Sequence, residues 1–227
     1  MPARASARAS ARARFDESLE MLRVDVDALA GMAQDAVAGA VAALVDQDED
    51  RARAVTGGDD RTDALFVALE ERAYALIAQQ QPVAADLRFL MSALRVMSDY
   101  EKAGDRAVAL AKVALARWER EPATVTQLGR MGDLALELLT ASRQAWLDQD
   151  LAIASDLKRR DDDLDGCYRR LVAHLLTRHG DNATGLVLYA YAAGRNLERI
   201  ADHAVMIGER VIYQITGDPS ALAAEIA

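Results

Sequence analysis

The chain has 227 residues and a formal net charge of −9 at pH 7, and its hydrophobic residues make up 52% of it although only 5% is aromatic. That length holds one large domain or two small ones around a real apolar core, and the weight of Ala, Leu, Arg, Glu and Asp over Gly and Pro favours long packed helices and argues against a sheet with its many turns. The acidic balance argues against nucleic acid as a partner, because each phosphate contact needs a Lys or Arg to release its counterion.

The chain opens MPARASARASARARF, with Arg4, Arg8 and Arg12 four apart. Positive charge with no apolar run behind it is not a secretory leader. Residues 1–14 are therefore expected as a disordered Arg/Ala-rich tail, with a patch for anionic lipid as the sharper alternative. No stretch reads as the ~20 uninterrupted apolar residues that cross a bilayer. Cys167 is alone, which leaves no internal disulfide, fits a reducing cytoplasm and suits a small apolar filler on a helix.

From Phe15 to about Val45 apolar residues fall three and four apart (Leu22, Val26, Leu29, Met32, Ala36, Ala40, Leu44), the period of a helix. Asp46-Gln47-Asp48 interrupts it, and a second periodic stretch runs from about Glu49 to Ala78. Its weak point is Gly57-Gly58, about 1 kcal/mol each against Ala in a helix interior, where the helix could kink or break. QQQPV at 79–83 is a turn, since Pro82 pushes Gln81 out of the α region and itself suits an early helical position. The third helix is expected over about 84–116. RWEREPAT at 117–124 comes next, charged, stopped by Pro122, and with Thr124 placed to cap the fourth helix.

Beyond that boundary the pattern returns: a helix over about 125–147, Asp148-Gln149-Asp150, a helix over about 151–178, a break at HGDNATG, and a helix over about 186–216. The two Asp-Gln-Asp triplets lie 102 residues apart. The fold class is all-α: two tandem antiparallel three-helix bundles made by internal duplication, residues 15–118 and 123–218, with connections too short for any but up-down-up packing.

The duplication repeats a charge pattern. Glu101 and Asp105 in DYEKAGDRA match Glu198 and Asp202 in NLERIADHA, 97 residues on, and Asp59 and Asp63 match Asp161 and Asp165, 102 on. Residues four apart on a helix are neighbours, so each pair shares a face at a cost of about 0.2–0.5 kcal/mol in repulsion. In an antiparallel bundle a pair on one helix can face a pair on the next, and four converging carboxylates repel unless a cation stands between them. Asp35 and Glu137, also 102 apart, could add an oxygen each. Two readings stand open here: solvated helix faces copied by duplication, or one oxygen-ligand metal cluster per half.

Other chemistries leave no signature. Glu-x-x-His pairs of di-iron bundles are missing, since Leu171, Leu176 and Ile200 precede His174, His179 and His203 by three. There is no Cys-x-x-Cys, phosphate-binding Gly-x-x-x-x-Gly-Lys-Ser/Thr loop or Gly-x-Ser-x-Gly elbow. His203, beside Asp202, could join a metal shell, bond that carboxylate or be an ordinary surface histidine, while His174 and His179 read as structural or exposed.

QQQPVAADLRFLMSALRVMSDYEKAGDRAVALA at 79–111 and GRNLERIADHAVMIGERVIYQITGD at 194–218 resemble the two signatures of the PhoU family, and the resemblance runs from about Phe15 to Asp218. It implies two three-helix bundles related by a pseudo-twofold, and a cytoplasmic negative regulator of the phosphate starvation response. Such a regulator couples the ATPase subunit of the phosphate-specific ABC transporter to a phosphate-sensor histidine kinase, reaches the membrane only through these partners, and is expected as a homodimer. Members of that family hold iron or zinc clusters on such carboxylates, although some carry no metal. Carried over, iron, zinc or another divalent metal would sit on Asp59, Asp63, Glu101 and Asp105, and on Asp161, Asp165, Glu198 and Asp202. Lys102 departs from the family's usual arginine and cannot make a bidentate fork. Ala103 replaces a larger apolar residue, and Met206 stands where many members are polar. The rivals are a metal-dependent phosphohydrolase working through the carboxylates, and a relative serving a different anion transporter.

Overall fold

The computed structural model describes residues 2–116, 118–180 and 183–222, with side chains described at Ser10 and from Arg12 onward. The described residues form six α helices, α1 (Pro2–Asp46), α2 (Glu49–Gln80), α3 (Ala85–Leu115), α4 (Pro122–Asp148), α5 (Leu151–Leu175) and α6 (Ala183–Thr216), before a 3-10 turn at Pro219–Leu222. There is no strand among the described residues. The all-α duplicated architecture stands as the sequence implies.

Within each half the three helices pack on one another, and α1 also packs on α4 and α3 on α6. The helices α1, α3, α6 and α4 thus close a central ring, with α2 and α5 lying outside it on opposite halves. The apolar stripes of α3 (Val96, Tyr100, Ala103, Ala107, Leu110) and α6 (Ala193, Leu197, Ile200, Ala204, Ile207, Val211) are fully buried. Apolar residues of all six helices join one continuous core. Trp146 of α4 reaches into the first half: its ring stacks on Phe89 of α3 at 5.7 Å and its indole N–H donates to the Arg23 carbonyl of α1 at 3.3 Å. Arg143 of α4 grips Asp27 of α1 through both carboxylate oxygens, at 2.6 and 3.0 Å.

The repeated Asp-Gln-Asp is a helix stop and a helix start fused. Gln47 and Gln149 take the left-handed conformation at φ 58° and 54°. The amides of Asp48 and Asp150 then close on the carbonyls of Ala43 and Ala145, the terminal hydrogen bond of a Schellman motif. The same aspartates cap α2 and α5, Asp48 accepting from the Arg51 amide and Asp150 from those of Ala152 and Ile153.

Several local expectations are corrected. The supposed tail is helical from Pro2 onward, in keeping with the helix propensity of Ala and Arg, and Arg12 holds Asp16 at 2.8 Å and Asp86 at 2.6 Å. Met1 and the side chains of Arg4 and Arg8 lie outside the described residues, and so does the lipid-patch reading. α2 runs through Gly57-Gly58 unbroken. Pro82 stays in the turn, where Gln81 and Ala84 both have positive φ, and α3 starts after it. Thr124 does not cap α4: Glu121 is the N-cap residue, Pro122 takes the first helical position, and the Thr124 hydroxyl donates to the Glu121 carboxylate at 2.9 Å. Finally, Arg12–Asp46 is long and apolar enough to cross a membrane by length and composition. Its apolar side lies against the rest of the protein, with Leu22, Val26, Leu29, Ala33, Val37 and Ala40 fully buried.

Candidate functional site

The spacing of four puts Asp59 and Asp63 on one face of α2, and Asp161 and Asp165 on one face of α5. The α2–α3 and α5–α6 turns fold these faces onto Glu101 and Asp105 of α3, and onto Glu198 and Asp202 of α6. Within each half the carboxylates lie near enough for one to feel the charge of another. Burial first, then the charges of Asp63 and of Asp105 on the facing helix, lift Asp59 above the usual carboxylate range. Burial and the charges of Asp105 and Asp63 lift Glu101.

The second quartet is the more enclosed. Asp161, 5% exposed, is pushed up to about 7 by burial foremost and then by Asp165 and Asp202. Burial and Asp202 raise Glu198 against the pull of Arg195 and Arg199, and burial also raises Asp202 against the pull of Arg199. Arg195 donates to Glu198 Oε1, and Arg199 to Asp202 Oδ2 at 3.3 Å. Asp161 Oδ1 and Glu198 Oε2 are buried without a hydrogen-bond partner. A buried carboxylate oxygen left so is costly unless a proton or a cation satisfies it.

Among the described residues no three His, Cys, Asp or Glu side chains are already grouped at metal-holding distance. The donor set fits a hard, oxygen-seeking ion such as Mn²⁺, Mg²⁺ or Ca²⁺ better than a thiolate- or imidazole-seeking one. Asp35 lines a hollow of about 360 Å³ with Asp59, Arg51 and Arg61, whose wall also includes Gly39, Gly58 and Gly104. Glu137 lies in the α4–α5 groove with Asp133 and Arg160.

His203 takes neither the surface place nor the Asp202 contact considered for it. It is 8% exposed and its Nδ1 lies 3.0 Å from Oδ1 of Asp99, itself 7% exposed, across the α3–α6 seam. His174 sits half-buried against Glu121 at 2.9 Å, and His179 is exposed.

The profile of the PhoU domain matches this chain twice, over residues 26–114 and 128–211. The chain belongs to the PhoU family. Each PhoU match contains one complete carboxylate quartet. A PhoU homolog of the phosphate-specific transport system from Caulobacter vibrioides is 35% identical over 208 residues, 90% of each chain. PhoU homolog 1 of Mycobacterium tuberculosis is 32% identical over 91% of this chain and 95% of its own. Among solved structures, PhoU from Pseudomonas aeruginosa superposes with a TM-score of 0.83 at 29% identity, over 90% of this chain and all of that one. The phosphate transport system regulatory protein PhoU from Streptococcus pneumoniae gives 0.80 at 26%, over 90% and 98%.

The carboxylate spacing does not reveal the residues that tell the two quartets apart, Arg195 and Arg199, nor the Asp99–His203 pair between the halves. The arginines are discoverable by overlaying the repeats, which sets Arg195 on Ser98 and Arg199 on Lys102. The buried pair is not, because it depends on how α3 and α6 are rotated against each other.

Proposed function

We propose that this chain is a non-enzymatic negative regulator of phosphate uptake and of the phosphate starvation response, working in the cytoplasm. The observation that carries the reading is the doubled PhoU match, together with a relative named as an accessory protein of phosphate-specific transport that is 35% identical across 90% of the chain. Its partners are the ATPase subunit of the phosphate ABC transporter and a phosphate-sensor histidine kinase. It bridges them when phosphate is plentiful and meets the membrane only through them, as a homodimer.

The carboxylate quartets are read as divalent-cation sites, iron or zinc included: Asp59, Asp63, Glu101 and Asp105 in one half, Asp161, Asp165, Glu198 and Asp202 in the other. A bound cation would supply the positive charge that lets α2 sit against α3, and α5 against α6, without carboxylate repulsion. The unpartnered oxygens of Asp161 and Glu198 support this.

Deleting the gene is expected to leave phosphate-responsive promoters switched on in phosphate-rich medium, with repression restored by the intact chain. A cross-linking pull-down from phosphate-replete cells should recover the transporter ATPase subunit and the kinase. Normal repression in the deletion strain would overturn the regulatory assignment. Hydrolysis of phosphate esters by the purified chain with Mn²⁺, abolished by Asp105→Ala, would replace it with the phosphohydrolase reading.

A further inference from the structure

The halves are built differently around the hollow of about 360 Å³ where α1, α2 and α3 meet. A shift of 102 residues carries Ala36, Val55, Gly58 and Thr62 of its wall onto Leu138, Leu157, Arg160 and Leu164, and a shift of 97 carries Gly104 onto Ala201. The second half has the larger residue at each of these places, and its three leucines are buried. What the second half fills, the first leaves open. A Cβ at Gly58 would meet nothing within 4 Å, and one at Gly104 only the Thr62 methyl at 3.9 Å, so packing within the chain requires neither glycine. Thr62 adds a polar demand. It is 8% exposed and lines the hollow, and its hydroxyl has no hydrogen-bond partner among the described residues. A buried hydroxyl left so is costly until something in the hollow bonds it.

The charges of the hollow are also its own. Arg51 and Arg61 line it beside Asp35 and Asp59, and neither guanidinium has a counterpart in the second half, where Ile153 and Asp163 stand. Arg61 and Asp35 make no ion pair among the described residues, and Arg51 reaches Asp46 and Asp48 only at 3.7 Å. We propose that this hollow binds a small zwitterion with an apolar body, of the free amino-acid class. The carboxylate lies on Arg61, Arg51 and the Thr62 hydroxyl, the ammonium on Asp35, and the side chain against Val55 and Val108. A ligand of one sign would be repelled by one pair of these charges, whereas a zwitterion matches both. The volume sits at the small end of the range for ligand pockets, and an apolar wall with a few convergent polar groups is their usual make-up. The inference is independent of the cation reading of the quartets, which it touches only at Asp59.

Calorimetric titration of the full-length chain with L-leucine, L-methionine and L-phenylalanine tests this, and at least one of them is expected to bind at one site per chain. The same ligand without its amino group, or without its carboxylate, should bind about tenfold more weakly or worse, since each lacks a charge-assisted bond. Arg61→Gln should cost about tenfold in affinity, and Thr62→Val a smaller factor. Ala36→Leu with Thr62→Leu copies the second half into the first and should abolish binding while the melting temperature holds or rises. Circular dichroism melts check that this variant is folded, and Gly58→Met, which grows into open space, carries the test if it is not. Absence of binding by all three amino acids overturns the inference. So does equal binding of the deaminated or decarboxylated ligand, and so does undiminished binding in a folded, filled variant. None of these outcomes touches the phosphate-regulation reading, which is decided by promoter repression in the deletion strain.

Discussion

Asp161 is where burial and like charge act together most strongly. Its carboxyl titrates near 3.8 in an ordinary setting and near 7 in the fold, so between those values the folded chain holds a proton that the unfolded chain has lost. Stability is then highest at the acid end of this window and is lost as pH rises through about 7. Glu121, Asp156 and Asp218 have depressed values; what they contribute is full above the ordinary carboxylate values and fades only as pH falls through them, at the acid edge of this window. Full protonation against full ionisation changes stability by about 1.4 kcal/mol per pH unit, and going from pH 7.5 to 5.5 should add on the order of 2 kcal/mol. In chelator-treated buffer the melting temperature is expected to rise by roughly 5 °C over that interval. Asp161→Asn should shrink the rise, leaving only what the smaller upward shifts of Asp59, Glu101, Glu198 and Asp202 contribute, and should melt above the wild type at pH 8; a flat wild-type profile would contradict the assignment. The spacing of the four carboxylates was legible in the sequence, but their ranking was not. Asp161 sits in RDDDLDGC among four aspartates, and only the packing of α5 decides which of them is enclosed.

At the level of the helix, the boundaries were legible wherever a residue forces the backbone. Asp-Gln-Asp ended and restarted helices at the same register in both halves, and Pro82 and Pro122 marked the turn and the boundary between repeats. What failed were inferences from residues that merely tolerate a conformation. Thr124 can cap, but Pro122 claims the first helical position and pulls the start upstream of it. Gly57 and Gly58 weaken a helix without breaking it when the rest of α2 packs on α1 and α3. A Cβ at Gly57 would meet nothing within 4 Å, so Gly57→Ala should stabilise by about 0.5–1 kcal/mol through helix propensity alone, read as a higher urea midpoint at unchanged slope. Gln47 holds its left-handed φ of 58° with no side-chain bond of the kind Gln149 makes to the Trp146 carbonyl. Gln47→Gly should therefore gain up to about 1 kcal/mol, while the same change at Gln149 gains less. Equal effects at the two sites would show that the side-chain bond contributes nothing.

For the whole molecule, duplication suggests two bundles that could stand apart, whereas the packing makes them one body. The repeat was legible through matched triplets and matched carboxylate pairs. The docking was not, because the residues that join the halves are not repeated: Asp27 and Arg143, Asp99 and His203, and Trp146 against Phe89 have no counterparts related by the duplication. Tyr100 of α3 adds a buried contact of 3.4 Å to Ser142 of α4. A first half cut at residue 118 would expose the faces of α1 and α3 that now meet α4 and α6, including Phe89 and Tyr100, which are buried in the full chain. It would also strand Asp99 on that newly wetted seam. The full chain is accordingly expected to unfold in one transition, coincident by circular dichroism and by the fluorescence of Trp118 and Trp146. The fragment 1–118 should be unfolded or self-associated, its exposed seam seeking a substitute for the second half. A monomeric fragment that melts cooperatively in size-exclusion and thermal experiments would show that the first repeat holds its own core, and that the seam between the repeats is a docking surface laid over two finished bundles.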